Sequence, residues 1–189
     1  MPNTVDATLT SAGKPAIGGG VFRAPSGTAL PTDAKTALAA EYVNMGYISD
    51  DGVVNSKARE TTDVKAWGGD RVRDLQTSKS DTFQMTFIEA RNLEVLKAVH
   101  GDDNVTESSG MIKIRENAKE LDRAVWVIEE VMNDGYLKRT VIPDGKITEV
   151  GDVTYKDDQL IGYQATISAY PYQSDGYDGD THNEFIEAE

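Results

Sequence analysis

Residues 81–90 read DTFQMTFIEA, and their alternation decides the fold class. Phe83, Met85 and Phe87 fall on one face of an extended chain, and Thr82, Gln84 and Thr86 on the other. That is the period-2 pattern of a strand with one face buried. Working outward, residues 123–132 (RAVWVIEEVM) set Trp126 and Ile128 opposite Val125 and Val127, so both faces of this strand are expected to be covered. Asn133-Asp134-Gly135 is a turn signal leading into a strand over 136–142, and Pro143-Asp144-Gly145 predicts a second turn into 146–155. Lys156-Asp157-Asp158 leads into 160–170, with Ile161, Tyr163, Ala165 and Ile167 on one face. Upstream, residues 42–48 (YVNMGYI) have strand composition, and strands over 64–67 and 71–79 are expected to join across Gly68-Gly69-Asp70.

One helix is expected, over about residues 92–100. Asn92 suits the N-cap, Leu93, Leu96 and Val99 recur on one face, and Gly101 supplies the stop. Closely spaced strands with turn chemistry between them and a single flanking helix predict a mainly β chain, an antiparallel sandwich or barrel.

Three segments stand outside that pattern. Residues 1–35 are rich in Ala, Gly, Pro, Ser and Thr, contain Gly18-Gly19-Gly20, and show no period. They read as an N-terminal arm, either a disordered tail or a segment that orders against a neighbouring subunit. Residues 49–63 form a long polar stretch read as a loop, and loops of that length tend to be functional. Residues 173–189 hold six acidic residues and no Lys or Arg, which predicts an exposed acidic tail. The domain proper is then expected over 36–172.

Composition narrows the function. The 189 residues contain no cysteine, so disulfides, thiolate metal sites and cysteine nucleophiles are excluded, which suits synthesis in a reducing cytoplasm. No secretory signal is visible and no apolar run approaches the roughly 20 residues of a membrane helix. Nineteen basic against thirty-two acidic residues leave a net charge of −13. Tight nucleic-acid binding depends on Lys and Arg neutralising phosphates. Here the cations are scattered, Arg71 and Arg73 lying between Asp70 and Asp74.

Catalytic patterns are missing. There is no G-x-S-x-G elbow, no phosphate loop of the G-x-x-x-x-G-K-[ST] type and no H-E-x-x-H. Of the two histidines, His100 closes the expected helix, where it suits the macrodipole, and His182 lies in the acidic tail. Asp102-Asp103 and Asp157-Asp158 sit in turn contexts that favour Asp for backbone reasons. Asp175, Asp178 and Asp180 are spaced among glycines, but the EF-hand order is absent. Neither a cofactor nor a metal is expected, and no enzymatic activity. Trp67 and Trp126 lie in apolar β-rich runs and, with Phe83 and Phe87, are assigned to the core or to a subunit interface.

The order of YISDDGV (47–53), ETTD-x-x-AW (60–67) and G-x-VTYKDD (151–158) resembles the major tail protein, or tail tube protein, of long, non-contractile-tailed bacteriophages, particularly those of actinobacteria. The resemblance covers about residues 29–172. It implies a virion structural protein of sandwich or barrel type with one flanking helix. Such proteins form rings, usually of six, that stack into the conduit for the genome. It further implies tail terminator, tape measure and distal tail proteins as partners, with viral DNA passing through unbound. On that reading the 49–63 segment reaches the next ring, and Asp50, Asp51, Val53, Val54, Lys57, Arg59 and Glu60 are the candidate inter-ring contacts. Two other readings are the inner tube of a contractile tail or injection system, and a carbohydrate-binding β-sandwich with Trp67 or Trp126 as platform. A carboxylate-based hydrolase ranks below both.

Overall fold

The computed structural model describes residues 5–174 and 176–188. In chain order the strands are β1 (Lys14–Pro15), β2 (Val21–Pro25), β3 (Val43–Asn44), β4 (Ile48–Lys65) and β5 (Arg71–Phe87). Helix α1 (Leu93–His100) follows, then β6 (Val105–Ser108), β7 (Met111–Ile114), β8 (Ala124–Val131) and β9 (Tyr136–Val150). The chain closes with β10 (Tyr163–Ala169), β11 (Tyr172–Ser174), β12 (Tyr177–Asp180) and β13 (Asn183–Ala188). All pairings are antiparallel, as expected of a chain punctuated by short turns.

The main sheet runs β3-β2-β8-β9-β10-β5-β4, with β1 continuing beside β8 and β13 beside β9. It does not close into a barrel, since β3 and β4 remain as ends. Along one edge of β9 two short strands follow one another: β13 pairs with Tyr136–Val141, and β10 pairs with the stretch from Gly145 to Val150.

Alternation sorts the side chains onto two faces. One face buries Phe83, Met85, Phe87, Trp126, Ile128, Ile142, Ala165 and Ile167 beneath α1, which contributes Val95, Leu96 and Val99. The helix begins and stops as its residues dictate: the Asn92 side chain accepts from the Glu94 N–H at 3.0 Å, and Gly101, at φ +98°, donates its N–H to the Lys97 carbonyl. The opposite face of β8 and β9 buries Val125, Val127 and Val141 against Ala24, Tyr42, Leu30 and Leu38. Both faces of β8 are therefore covered, as its sequence predicts. Burial of Trp126 and Phe87 contributes about 2–3 kcal/mol each.

Four expectations change. The segment read as an N-terminal arm is partly built into the body, because β2 pairs with β8 and buries Val21 and Ala24. Residues 26–42 then lie over β8, and burial raises the Tyr42 phenol to about 12 while its hydroxyl donates to the Ala29 carbonyl. The Pro143-Asp144-Gly145 turn does not form. These residues sit inside β9 at a bulge, where the register slips from Ala124↔Gly145 to Trp126↔Ile142. A bulge tolerates a residue with no N–H, which is why a proline fits mid-strand. The acidic C-terminal stretch is not simply a tail either, since β13 joins the main sheet and packs Phe185 against the second core. Finally, the polar stretch over 49–63 is not a loop. It is most of β4.

Candidate functional site

The β4–β5 hairpin grows from the core as a regular ladder. It pairs from Val53↔Met85 to Lys65↔Arg71, with register slips after Glu60 and after Val64. At its root Phe83, Met85 and Phe87 are buried. Beyond the root, every residue from Val54 to Ser80 is exposed. The expected turn closes it: Ala66 N–H donates to the Asp70 carbonyl at 2.8 Å, and Gly68 and Gly69 take φ of +114° and +99°. Alternating polar side chains still form a ladder when a cross-strand partner and a tight turn are supplied locally. The polar composition of 49–63 therefore reports solvent on both faces rather than absence of strand.

The candidate residues take distinct places on this ribbon. Asp50 and Asp51 are exposed in the irregular stretch between Ile48 and Val53, where four residues of β4 (49–52) lie opposite the single residue Thr86 of β5. Val53 packs partly onto the core, while Val54 is half exposed. Lys57 lies 3.9 Å from Glu184, Arg59 donates to Gln76 at 2.9 Å, and Glu60 accepts from the Ser78 hydroxyl at 2.9 Å. Phe83, Phe87 and Trp126 are core residues. Trp67 is not, standing fully exposed at the hairpin tip. The two tryptophans thus form no shared platform, since Trp126 is enclosed.

A polar cluster at the root was not among the candidates. Asp81 is 2% exposed and accepts hydrogen bonds from Asn55 Nδ2 at 2.7 Å, Thr181 Oγ1 at 2.6 Å and His182 Nδ1 at 2.6 Å. Burial raises its pKa, but these hydrogen bonds and the His182 charge outweigh that, and the carboxyl is held below its usual value. The His182 ring meets Phe83 edge-on, and its Nε2 lies 3.5 Å from Glu184. Burial likewise opposes ionisation of Glu184, while Lys138 at 3.1 Å and neighbouring Lys57 bring its carboxyl below the usual range. The cluster joins the C-terminal segment to the point where the hairpin leaves the sheet. Both imidazole nitrogens face carboxylates, so neither is free to serve a substrate. The signal lay in DTFQMTF, where Asp81 is in phase with the buried Phe83, Met85 and Phe87.

The family model described as phage tail tube protein matches residues 9–180. The chain belongs to that family. It is a structural component of the phage tail tube and hence of the virion, in a family that is structural and not a known enzyme family. No curated protein matches it. A tail tube protein works by assembling with copies of itself and with other tail proteins, so its functional site is a set of contact surfaces. The hairpin is the most prominent candidate for such a surface. Among the described residues no group of three or more His, Asp or Glu is placed to hold a metal, and no helix is long and apolar enough to cross a membrane. Asp175, the first carboxylate of the glycine-spaced acidic run, lies outside the described residues.

Proposed function

We propose that this tail tube protein closes into rings, of six copies, that stack into the conduit for genome delivery in a long, non-contractile tail. The β4–β5 hairpin bridges each ring to the next. The observation that carries the reading is the hairpin itself. A two-stranded ribbon alone in water is marginally stable, and here 54–80 touch none of the protein's core. Val54, Val72 and Trp67 are apolar side chains presented to solvent along it. Such a ribbon becomes stable when a neighbour covers it. The proposed contacts include Asp50, Asp51, Val53, Val54, Lys57, Arg59 and Glu60, with Trp67 at the tip.

The net charge of −13 supports a conduit that does not hold its cargo. Repeated around a ring, it repels DNA phosphates from the wall, most strongly at low salt. The protein's further partners in the tail are the tail terminator, tape measure and distal tail proteins. Lys57 and Asp81 are cross-strand partners, so residues 58–80 can be replaced by Asn-Gly to leave a short closed hairpin on an intact body. Electron microscopy of this variant is expected to show a folded protein that forms no long tubes. Tubes of normal length and yield would overturn the reading.

A further inference from the structure

We propose that the receptor for the hairpin tip is an acidic groove at the opposite end of the same two strands in the next copy of this chain. The inference rests on the hairpin being an inter-subunit bridge, and names what the bridge docks into. Charge is strongly divided in the molecule. Residues 54–80 hold six Lys or Arg against four Asp or Glu, while the remainder holds thirteen against twenty-eight. The hairpin is the basic element of an acidic protein. At its tip Arg71 is already neutralised by Asp63, at 3.2 Å, and by Asp74. Lys65 and Arg73 are exposed and have no carboxylate partner among the described residues.

The matching surface is a groove of about 790 Å³ between the irregular start of β4 and the segment over 152–164. Asp50, Asp51, Asp152 and Asp158 line it, with Leu160 as an exposed apolar side chain. No Lys or Arg does. Like charges crowded in a groove favour a cationic occupant over water and small ions alone. Leu160 offers Trp67 an apolar neighbour.

Topology supplies the geometry. The groove begins at Ile48, which pairs with Phe87, whereas the tip lies past Lys65↔Arg71 at the other end of the ladder. A tip entering the next copy's groove is a head-to-tail contact between different surfaces, which repeats without closing when successive copies are displaced along the tube axis. The sixteen steps from Phe87 to Arg71 at about 3.3 Å each set a spacing of roughly 50 Å between successive copies along the hairpin. The pairing places opposite charges together, so elongation weakens with added salt.

A charge exchange tests this. Lys65→Glu with Arg73→Glu, or Asp152→Lys with Asp158→Lys, should each lower tube yield about tenfold or more. All four residues are exposed, so each double variant keeps the wild-type circular dichroism. Combining the four substitutions in one chain should restore tubes. Because the chain has no cysteine, Trp67→Cys with Asp158→Cys under mild oxidation should give a ladder of covalent multimers on non-reducing gels. Unchanged yield in both double variants, or no rescue in the fourfold variant, overturns the proposal. So does loss of double-stranded DNA binding in the Lys65→Glu, Arg73→Glu variant with tubes intact, which would assign the tip to nucleic acid. If residues 58–80 prove necessary while the charge variants assemble normally, the groove is wrong and the bridging reading stands. If residues 58–80 prove dispensable, both fall.

Discussion

Replacing Asp81 should loosen the hairpin at its root while leaving the rest of the protein folded. The carboxylate is 2% exposed and accepts from Asn55, Thr181 and His182. Asp81→Ala removes three charge-assisted hydrogen bonds and strands donors that have little water to turn to, Thr181 being 6% exposed. Hydrogen bonds to a charged group contribute about 1.5–3 kcal/mol each, and solvated Asn55 recovers part of its share. Net loss is therefore about 3 kcal/mol. Asp81→Asn keeps the shape and one acceptor oxygen, and should cost about 1–2 kcal/mol. Either leaves a domain of ordinary stability folded. Urea unfolding followed by circular dichroism measures the loss. Hydrogen exchange should place it at 53–57, 79–83 and 177–184.

The pH dependence carries a sign. The folded Asp81 carboxyl lies below its usual value because the accepted hydrogen bonds outweigh burial. A depressed folded pKa stabilises the native state fully above the unfolded value, about 3.9, and the stabilisation is lost as pH falls through the folded value. The gap between wild type and Asp81→Asn should therefore be full at pH 7 and shrink below about pH 4. A gap that stays constant from pH 7 to 3, an Asp81→Ala cost under about 0.5 kcal/mol, or exchange increases spread evenly over the sheet would refute the assignment.

Other residues make separate demands. Arg139 is 4% exposed and donates to Glu129 and to the Asp33 carbonyl, so Arg139→Ala leaves the partly buried Glu129 carboxylate and the Asp33 carbonyl without their donor and should cost about 2–3 kcal/mol by thermal or chemical unfolding. Gly145 sits against Trp126, where an added Cβ would lie 2.7 Å from Cδ1 and 3.0 Å from Ile167 Cγ2. Gly145→Ala should cost about 1–3 kcal/mol and shift the buried tryptophan's emission. Trp67→Ala should leave monomer stability within about 0.5 kcal/mol, because the ring touches nothing, yet reduce tube formation. In a Trp126→Phe background, assembly should blue-shift the remaining Trp67 fluorescence.

What was readable from the chain follows from where local rules sufficed. Phe83, Met85 and Phe87 announced a strand because alternation is a property of the strand itself, and Asn92 and Gly101 bounded the helix because caps act within a few residues. Residues 49–63 misled because strand formation there depends on a partner twenty or so residues away rather than on burial. A ladder with water on both faces carries no hydrophobic period to detect. The same holds for Val21-Phe22 and Phe185-Ile186, short apolar pairs without a period whose strands exist because β8 and β9 offer edges. Pro143-Asp144-Gly145 has good turn chemistry, but Trp126 and Tyr170 hold that stretch in line, Tyr170 donating its N–H to the Asp144 carbonyl. Asp81 was the most informative residue left unread. A carboxylate in phase with three buried apolar residues implies buried partners, and these came from a segment a hundred positions away.

An exposed edge as long as β4 is ordinarily a hazard, since any strand can add to it. Ten charges spread over 54–80 suppress that indiscriminate pairing, and they also define which surface is acceptable. On the proposed docking, specificity falls to charge complementarity with the acidic body of another copy rather than to backbone hydrogen bonding. The Asp81 cluster adds the remaining requirement. A ribbon free to swing at its root would lose much of its docking energy to ordering, whereas one clamped by Thr181 and His182 is aimed before it meets a neighbour. The clamp belongs to the segment joining β12 to β13, and β13 itself is seated on β9. Seating of β13 on β9 is therefore coupled to the direction of the hairpin, so that on the proposed docking Thr181 and His182 help set the geometry by which copies would stack.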